Sequence, residues 1–172
     1  MIEIVKLPEE RKAVIIGKNA NVKKTIEVLT ETEITIKDDV SIEGEDPIGI
    51  MDAKNIITAI GRGFSPDKAK KLSGGENILE IISLRDMRSP KKRLVQKGRI
   101  IGTKGRARKL LERFTRCDIS VYGDTVSIIG PWDAVNFAKD AVSQLLEGKS
   151  HATVYRFLEK EGARSKSTEA NG

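Results

Sequence analysis

Cysteine and histidine are almost absent from this sequence of 172 residues, which contains one of each. One cysteine excludes an intramolecular disulfide, and it excludes any metal site built from a cysteine cluster. We predict that Cys117 is a small buried side chain at a helix end, and that His151 is a cap or surface residue near a helix start. Neither residue lies in a nucleophile motif, and the sequence implies no cofactor and no metal.

Aromatic residues are also scarce, at 4% of the chain against 38% for all hydrophobic residues. The core must therefore be built from Ile, Val, Leu and Ala. We predict that Trp132, which follows Pro131 at a helix start, anchors the core rather than forming a base-stacking platform. Tyr122, at a hairpin edge, is equally compatible with base stacking and with an ordinary surface position.

Long hydrophobic runs are missing as well. No apolar stretch approaches the roughly 20 residues that a membrane-spanning helix needs, and the N-terminus lacks a charged-then-apolar signal pattern. We therefore expect a cytoplasmic protein with no membrane partner.

Acidic residues are nearly missing from one window, residues 85–116. This window holds 13 of the 31 Lys and Arg residues but only two of the 25 acids, Asp86 and Glu112. Its local net charge is +11, whereas the rest of the chain carries −5. The overall charge of +6 and the pI of about 9.4 therefore arise in this window. Because an ordered motif lies inside it, we favour an anionic partner over a merely solvated basic face.

The chain contains two copies of one module, related by a shift of 85 residues. Ile15-Ile16-Gly17 matches Ile100-Ile101-Gly102, and Ile34 with Ile36 matches Ile119 with Val121. We predict an α+β fold of two modules, residues 1–75 and 76–162, followed by a disordered tail, residues 163–172.

Both copies have the same predicted element order: strand, helix, glycine turn, helix, two strands and a closing helix, with an extra C-terminal helix. The residues of the extra helices are Asp67 to Leu72 and Ala152 to Lys160. The predicted boundaries of the other elements are Ile2 to Leu7, Asn21 to Thr30, Glu33 to Lys37, Val40 to Glu43 and Met51 to Ile60, then Ile78 to Leu84, Arg106 to Thr115, Asp118 to Tyr122, Thr125 to Ile129 and Trp132 to Leu146.

The glycine turn of the second copy, Gly102-Thr103-Lys104-Gly105, is the candidate binding site. Glycines at both ends of a sharp turn allow a nucleotide backbone to approach closely, and the following helix N-terminus faces its phosphates. Basic residues that could reach phosphates surround the turn, and two strand residues could form an apolar floor for bases. The basic residues are Arg99, Arg106, Arg108 and Lys109, and the floor residues are Ile119 and Val121. The alternative is an ordinary helix–helix turn with basic neighbours.

The first copy departs from this pattern at Gly17-Lys18-Asn19-Ala20, where alanine replaces the second glycine. A methyl group there hinders close approach of another backbone. Only Lys23 and Lys24 follow closely, and many acids lie nearby. We expect a weaker RNA contact, a protein contact, or packing on the second copy.

The strand, helix, Ile-Ile-Gly-x-x-Gly, helix, strand, strand, helix pattern resembles a type I KH domain. A degenerate first copy beside a full second copy narrows the resemblance. The sequence is similar to the archaeal counterparts of the partner-of-Nob, or dimethylase-interacting, family of small ribosomal subunit assembly factors. Flanking stretches that carry this resemblance are Ala59 to Phe64, Ile81 to Asp86 and Gly148-Lys149 with Val154-Tyr155.

This resemblance implies a tandem pair of type I KH domains that bind about four single-stranded nucleotides per groove. It implies RNA binding near the 3′ end of small-subunit rRNA, mainly through the second copy. It also implies, as partners, the endonuclease that trims that end and the initiation-factor α subunit. The alternatives are an accessory RNA-binding subunit of a degradation complex, a translation regulator, or a nuclease. A nuclease would need an acid cluster or a histidine near residues 102–116, where only Glu112 is found, so we predict that the protein is not an enzyme.

Overall fold

A computed structural model describes residues 1–171, with side chains as far as Arg164. The chain divides into two compact units, Met1–Leu79 (unit 1) and Glu80–Gly172 (unit 2). The division falls inside the first strand of the second sheet, a few residues beyond the predicted linker at Gly74 and Gly75.

Unit 1 contains a three-stranded sheet and four helices. The elements are β1 (Ile2–Val5), α1 (Glu9–Ile16), α2 (Asn21–Thr30), β2 (Glu33–Ile36), β3 (Val40–Glu43), α3 (Pro47–Gly61) and α4 (Pro66–Ala69). A single 3₁₀ turn, Lys70–Leu72, follows α4. The helix α3 begins at Pro47 because Asp46 caps it: the Asp46 carboxylate accepts a hydrogen bond from the Ile48 N–H.

Unit 2 repeats this order. Its elements are β4 (Ile78–Ser83), α5 (Pro90–Ile101), α6 (Arg106–Thr115), β5 (Asp118–Tyr122), β6 (Thr125–Gly130), α7 (Trp132–Leu146) and α8 (His151–Asn171). The helix α5 also begins with a capped proline, since the Ser89 hydroxyl accepts from the Lys92 N–H.

The two sheets have matching strand orders, β1-β3-β2 and β4-β6-β5. The third strand of each module is therefore central. In unit 1 it pairs antiparallel with both neighbours, so that Ile42 lies opposite Glu3 on one side and Ile34 on the other. In unit 2, Ile128 lies opposite Ile119.

The core of each unit is aliphatic, as the composition predicted. The fully buried side chains of unit 1 include Ile15, Ile26, Ile34, Ile42 and Ile56, and those of unit 2 include Ile100, Leu111, Ile128, Leu145 and Val154. Burying these chains provides most of the stabilisation of such small units, at roughly 25 cal/mol per Å².

A glutamate in the second helix of each unit holds the start of the next strand. Glu27 accepts a hydrogen bond from the Ile34 N–H at 2.9 Å, and Glu112 accepts from the Ile119 N–H at 3.0 Å. The two glutamates are 85 residues apart, as are the two isoleucines. This shared bond fixes the helix against the edge strand in both units.

The observed elements agree closely with the predicted ones. The second helix of each unit and α7 have the predicted boundaries, whereas α3 begins four residues earlier than predicted because of its Asp46 cap. The helix α8 extends to Asn171, well past the predicted Lys160. Most of the predicted disordered tail, residues 163–172, lies beyond the described side chains, and its disorder stays a prediction.

The prediction for Trp132 was wrong. Its side chain is 69% exposed at the first position of α7, where a helix has only just begun and no neighbouring turn covers it on the N-terminal side.

Replacing Glu112 with alanine should lower the free energy of unfolding of the protein by about 1–3 kcal/mol, because the part-buried Ile119 N–H loses its acceptor. Glu112→Gln keeps an acceptor oxygen and should cost less. Urea unfolding followed by circular dichroism measures both. Equal losses for the two variants would show that the charge of Glu112, rather than its hydrogen bond to β5, is what stabilises unit 2.

Candidate nucleic-acid interface

The turn between α5 and α6 has a backbone that few residues adopt. Gly102 has φ 73°, Lys104 has φ 54° and Gly105 has φ 74°. Three left-handed residues within four positions cost conformational energy, and they allow α6 to begin directly after α5 ends.

The two glycines of this turn are present for different reasons. A Cβ on Gly102 would lie 2.6 Å from the Cβ of Ala107, so packing within the protein requires glycine there. A Cβ on Gly105 would meet no atom within 4 Å. Only the left-handed backbone disfavours a side chain at Gly105, and that position faces open space in which a ligand backbone could lie.

Four exposed side chains surround this open space: Thr103, Lys104, Arg106 and Lys109. In the described part of the chain, no carboxylate pairs with Lys104, Arg106 or Lys109. No side chain caps the N-terminus of α6, so its first backbone N–H groups add to the positive potential. The arrangement suits a phosphate backbone.

Arg108 is only partly available. Its guanidinium lies 2.6 Å from the Glu112 carboxylate, one helical turn away, and the side chain is half-buried. Because Glu112 also holds the Ile119 N–H, the ion pair places Arg108 on the strand side of α6. It contributes a partly neutralised charge to the predicted site.

Arg99 occupies a different place from the predicted one. Its guanidinium donates to the backbone carbonyls of Leu145 and Lys149, where α7 ends. The Arg99 carbonyl oxygen also forms a 2.8 Å hydrogen bond with Nε2 of His151, the first residue of α8. Arg99 therefore ties the last turn of α5 to the junction of α7 and α8, and its phosphate contact stays a prediction.

The same device occurs in unit 1, from a different position. Arg11 donates to the carbonyls of Ile60 at 2.7 Å and Phe64 at 2.9 Å. These carbonyls are the repeat counterparts of Leu145 and Lys149. Arg11, however, is the repeat counterpart of Gln96, which lies about one helical turn before Arg99. The two arginines therefore reach equivalent carbonyls from different positions on the first helix. Because the same two carbonyl positions accept from an arginine in both units, we infer that these hydrogen bonds maintain the fold.

Ile119 is not an exposed groove floor either. It is 2% exposed and belongs to the core of unit 2, because the Glu112 bond draws the start of β5 against α6. Val121, two residues later on the same edge strand, is half-buried and remains available as an apolar surface.

One residue that sequence reasoning missed is Asp124, in the β5–β6 turn. Its carboxylate lies 3.3 Å from the Lys97 ammonium and 3.8 Å from the Arg93 guanidinium, and its carbonyl accepts from the Leu84 N–H at 2.8 Å. Asp124 thus neutralises part of α5. The signal was present in the sequence as a lone acid between two strands, but pairing it with α5 required the fold.

The turn of unit 1 has nearly the same backbone with a different surface. Asn19 has φ 54° and Ala20 has φ 59°, so alanine adopts the conformation that Gly105 has in unit 2. Gly17 has φ 68°, and Lys18, Asn19 and Lys24 are exposed. Lys23 is paired with Glu27 at 3.0 Å.

The remaining chemically reactive groups are structural. Cys117 is buried, as predicted, and burial raises the pKa of its thiol to about 11, so it stays protonated at neutral pH. His151 begins α8, as predicted.

Within the described residues, no group of three or more His, Cys, Asp or Glu side chains is arranged to hold a metal ion, and no helix is long and apolar enough to span a membrane.

Alanine at position 102 should destabilise the protein by about 2–4 kcal/mol, because its Cβ collides with Ala107 in a left-handed backbone. Gly105→Ala should cost only about 1 kcal/mol, because the added methyl meets no atom and only the left-handed backbone opposes it, as at Ala20 of unit 1. Thermal unfolding of the two variants beside the parent protein measures the difference. Equal losses would contradict the distinction between the two glycines.

Comparison with known proteins identifies the family. The family model for the second KH domain of PNO1 proteins, described as a eukaryotic type KH domain (KH-domain type I), matches residues 78–163. A KH domain-containing protein of Methanocaldococcus jannaschii is 45% identical over 167 residues, which cover 93% of this chain and 74% of that protein.

Solved structures agree. Dim2p from Pyrococcus horikoshii is 43% identical with a TM-score of 0.86, over 93% of this chain and 99% of that one. The chain matched in an a/eIF2alpha–aDim2p–rRNA complex from the same organism is 43% identical with a TM-score of 0.87, over 95% of both chains. A protein of unknown function from Aeropyrum pernix is 36% identical with a TM-score of 0.92, over 99% of this chain and 95% of that one. The chain therefore belongs to the Dim2p (PNO1) family of KH proteins.

Proposed function

We propose that the protein is an RNA-binding ribosome assembly factor that holds single-stranded RNA near the 3′ end of small-subunit rRNA. The observation that carries this proposal is the turn from Gly102 to Gly105. It leaves open space at Gly105, surrounded by Lys104, Arg106 and Lys109, which pair with no carboxylate among the described side chains. The KH family match covers this turn, and the related Dim2p was solved in a complex with rRNA.

The main RNA contact is assigned to unit 2, as the second of two tandem type I KH domains. Unit 1 has the same element order and strand order, which supports treating it as a degenerate KH domain. Its Ala20 methyl occupies the space that Gly105 leaves free, and its surroundings are acidic, so it contributes at most a weak RNA contact through Lys18, Asn19 and Lys24.

Two protein partners belong to the same proposal. An initiation-factor α subunit shares the solved complex with the related Dim2p, and family resemblance adds the endonuclease that trims the rRNA end. A cytoplasmic location fits both. The function is binding rather than catalysis, because near the turn the one carboxylate, Glu112, is already engaged by Arg108 and the Ile119 N–H.

The purified protein should bind a single-stranded RNA that matches the 3′ end of its small-subunit rRNA at least about tenfold more tightly than a scrambled RNA of equal length and composition, measured by fluorescence anisotropy. Equal binding of the two RNAs would contradict the ribosomal assignment and favour a general RNA-binding accessory role.

A matched pair of variants assigns the contact to unit 2. Gly105→Asp places a carboxylate where the phosphates should lie, and we expect it to abolish RNA binding. Ala20→Asp makes the same change at the repeat position of unit 1 and should alter affinity little. Circular dichroism verifies that both variants are folded. Unchanged affinity in a folded Gly105→Asp protein would remove this turn from the mechanism.

The salt dependence of binding separates phosphate contacts from structural arginines. Each phosphate contact adds about 0.7 to the slope of log Kobs against log salt for single-stranded RNA. Lys104→Ala should therefore reduce the slope by about 0.7. Arg99→Met should leave the slope unchanged, even where affinity falls, because Arg99 bonds the end of α7. A reduced slope for Arg99→Met would restore Arg99 as a phosphate contact.

A further inference from the structure

The outer face of α2 in unit 1 carries apolar side chains that nothing in the unit covers. Val28 is 80% exposed and Leu29 is 46% exposed. With Lys24 and Thr25 they line a shallow open groove of about 340 Å³. An aliphatic groove of this kind on a helix surface is a common place for another protein segment to dock.

Unit 2 shows what covers part of the same face. The counterparts of Lys24 and Val28, which are Lys109 and Arg113, are exposed there, whereas those of Thr25 and Leu29 are half-buried. The repeat counterpart of Leu29 is Phe114, and its ring stacks on Tyr155 of α8 with centroids 6.5 Å apart. The helix α8 packs on both α6 and α7 and buries Val154 and Leu158 completely. An amphipathic helix with an aromatic side chain therefore fits this position of the module.

Unit 1 has no such helix of its own. After α3, the chain forms only the four-residue α4 and one 3₁₀ turn, which pack against α3. These elements leave Val28 and Leu29 exposed. The part of this face that holds Leu29 is therefore covered by a helix in unit 2 and uncovered in unit 1, where Val28 extends the apolar surface.

The charge around the groove selects the partner. Glu27 and Glu31 each lie three residues along the chain from a groove residue of α2, and both line a second open depression of about 710 Å³. Four more carboxylates line that depression: Glu33, Glu43, Glu45 and Asp46. Residues 27–46 hold eight acids and one lysine, whereas the matching residues 112–131 hold three acids and two arginines.

We propose that the groove of Lys24, Thr25, Val28 and Leu29 docks a basic amphipathic helix of a partner protein, which inserts an aromatic side chain beside Leu29. Leu29 supplies the contact that Phe114 makes with α8 in unit 2, Val28 enlarges the apolar surface, and the acidic rim pairs with lysines or arginines on the docking helix. The same acids repel a phosphate backbone, so the surface favours protein over RNA.

A synthetic peptide tests this surface on the full chain. The probe is residues 150–164 of this protein with E159K and E161K, a basic amphipathic helix that retains Tyr155 and Phe157. The control peptide keeps both glutamates and carries R156E, K160E and R164E. Titration into the methyl-labelled protein should shift the Val28 and Leu29 methyl resonances with the basic peptide, at an affinity at least about tenfold above that of the acidic one.

Variants of the chain locate the contact. V28A/L29A should weaken binding of the basic peptide by about tenfold, since it removes the apolar groove. L94A, which removes an exposed apolar side chain from α5 of unit 2, should leave it unchanged. Val28 and Leu29 are surface residues, so the double variant should remain folded. Its methyl NMR spectrum in the absence of peptide checks this.

Four results would overturn the proposal. These are no shift at Val28 and Leu29, equal binding of the two peptides, shifts at these methyls on adding single-stranded RNA in place of the peptide, and shifts that depend on protein concentration alone. The third result would make the groove an RNA surface, and the fourth would make it a contact between copies of this chain.

Discussion

The close contact between Gly102 and Ala107 is the constraint on which the rest of the second unit depends. It brings the end of α5 against the first turn of α6, at a distance that no Cβ permits. Once this contact is made, the chain has only Thr103 and Lys104 in which to reverse, and Lys104 and Gly105 must both adopt left-handed backbones. The N-terminus of α6 and its basic residues are thereby presented together. The proposed binding surface is a consequence of how these two helices pack. Arg99 holds the last turn of α5 in place through its hydrogen bonds to carbonyls at the end of α7.

The internal repeat separates what the fold requires from what the surface does. Positions 85 residues apart share the helix-to-strand hydrogen bond, the arginine-bound carbonyls and the left-handed turn. The shared features maintain the module. The differences lie at positions that packing does not determine: Gly105 against Ala20, Arg113 against Val28, and Arg116 against Glu31. Both units therefore keep one backbone, while their exposed side chains favour different kinds of partner.

Much of this could be predicted from the sequence because the relevant signals are local. The alternation of β5 and β6, the amphipathic pattern of α6 and the glycine turn each occupy a few consecutive residues, and the repeat provides a second instance of each. The bonds that Arg99 and Ile119 make were not predictable because each joins different elements: Arg99 bonds carbonyls at the end of α7, and the Ile119 N–H of β5 bonds Glu112 of α6. A basic residue near a turn gives no sign in the sequence of which way its side chain points.

Duplication explains how one chain could hold both RNA and a protein partner without competition between them. In unit 2, α8 covers the Phe114 side of α6 and leaves its basic side chains exposed beside the turn. In unit 1 the turn has lost its second glycine, and the outer face of α2 is open beside a cluster of acids. A phosphate backbone favours the first surface and is repelled by the second, whereas a basic helix has the opposite preference. Opposite local charges on one scaffold would keep the proposed RNA and protein ligands apart while both units retain one fold.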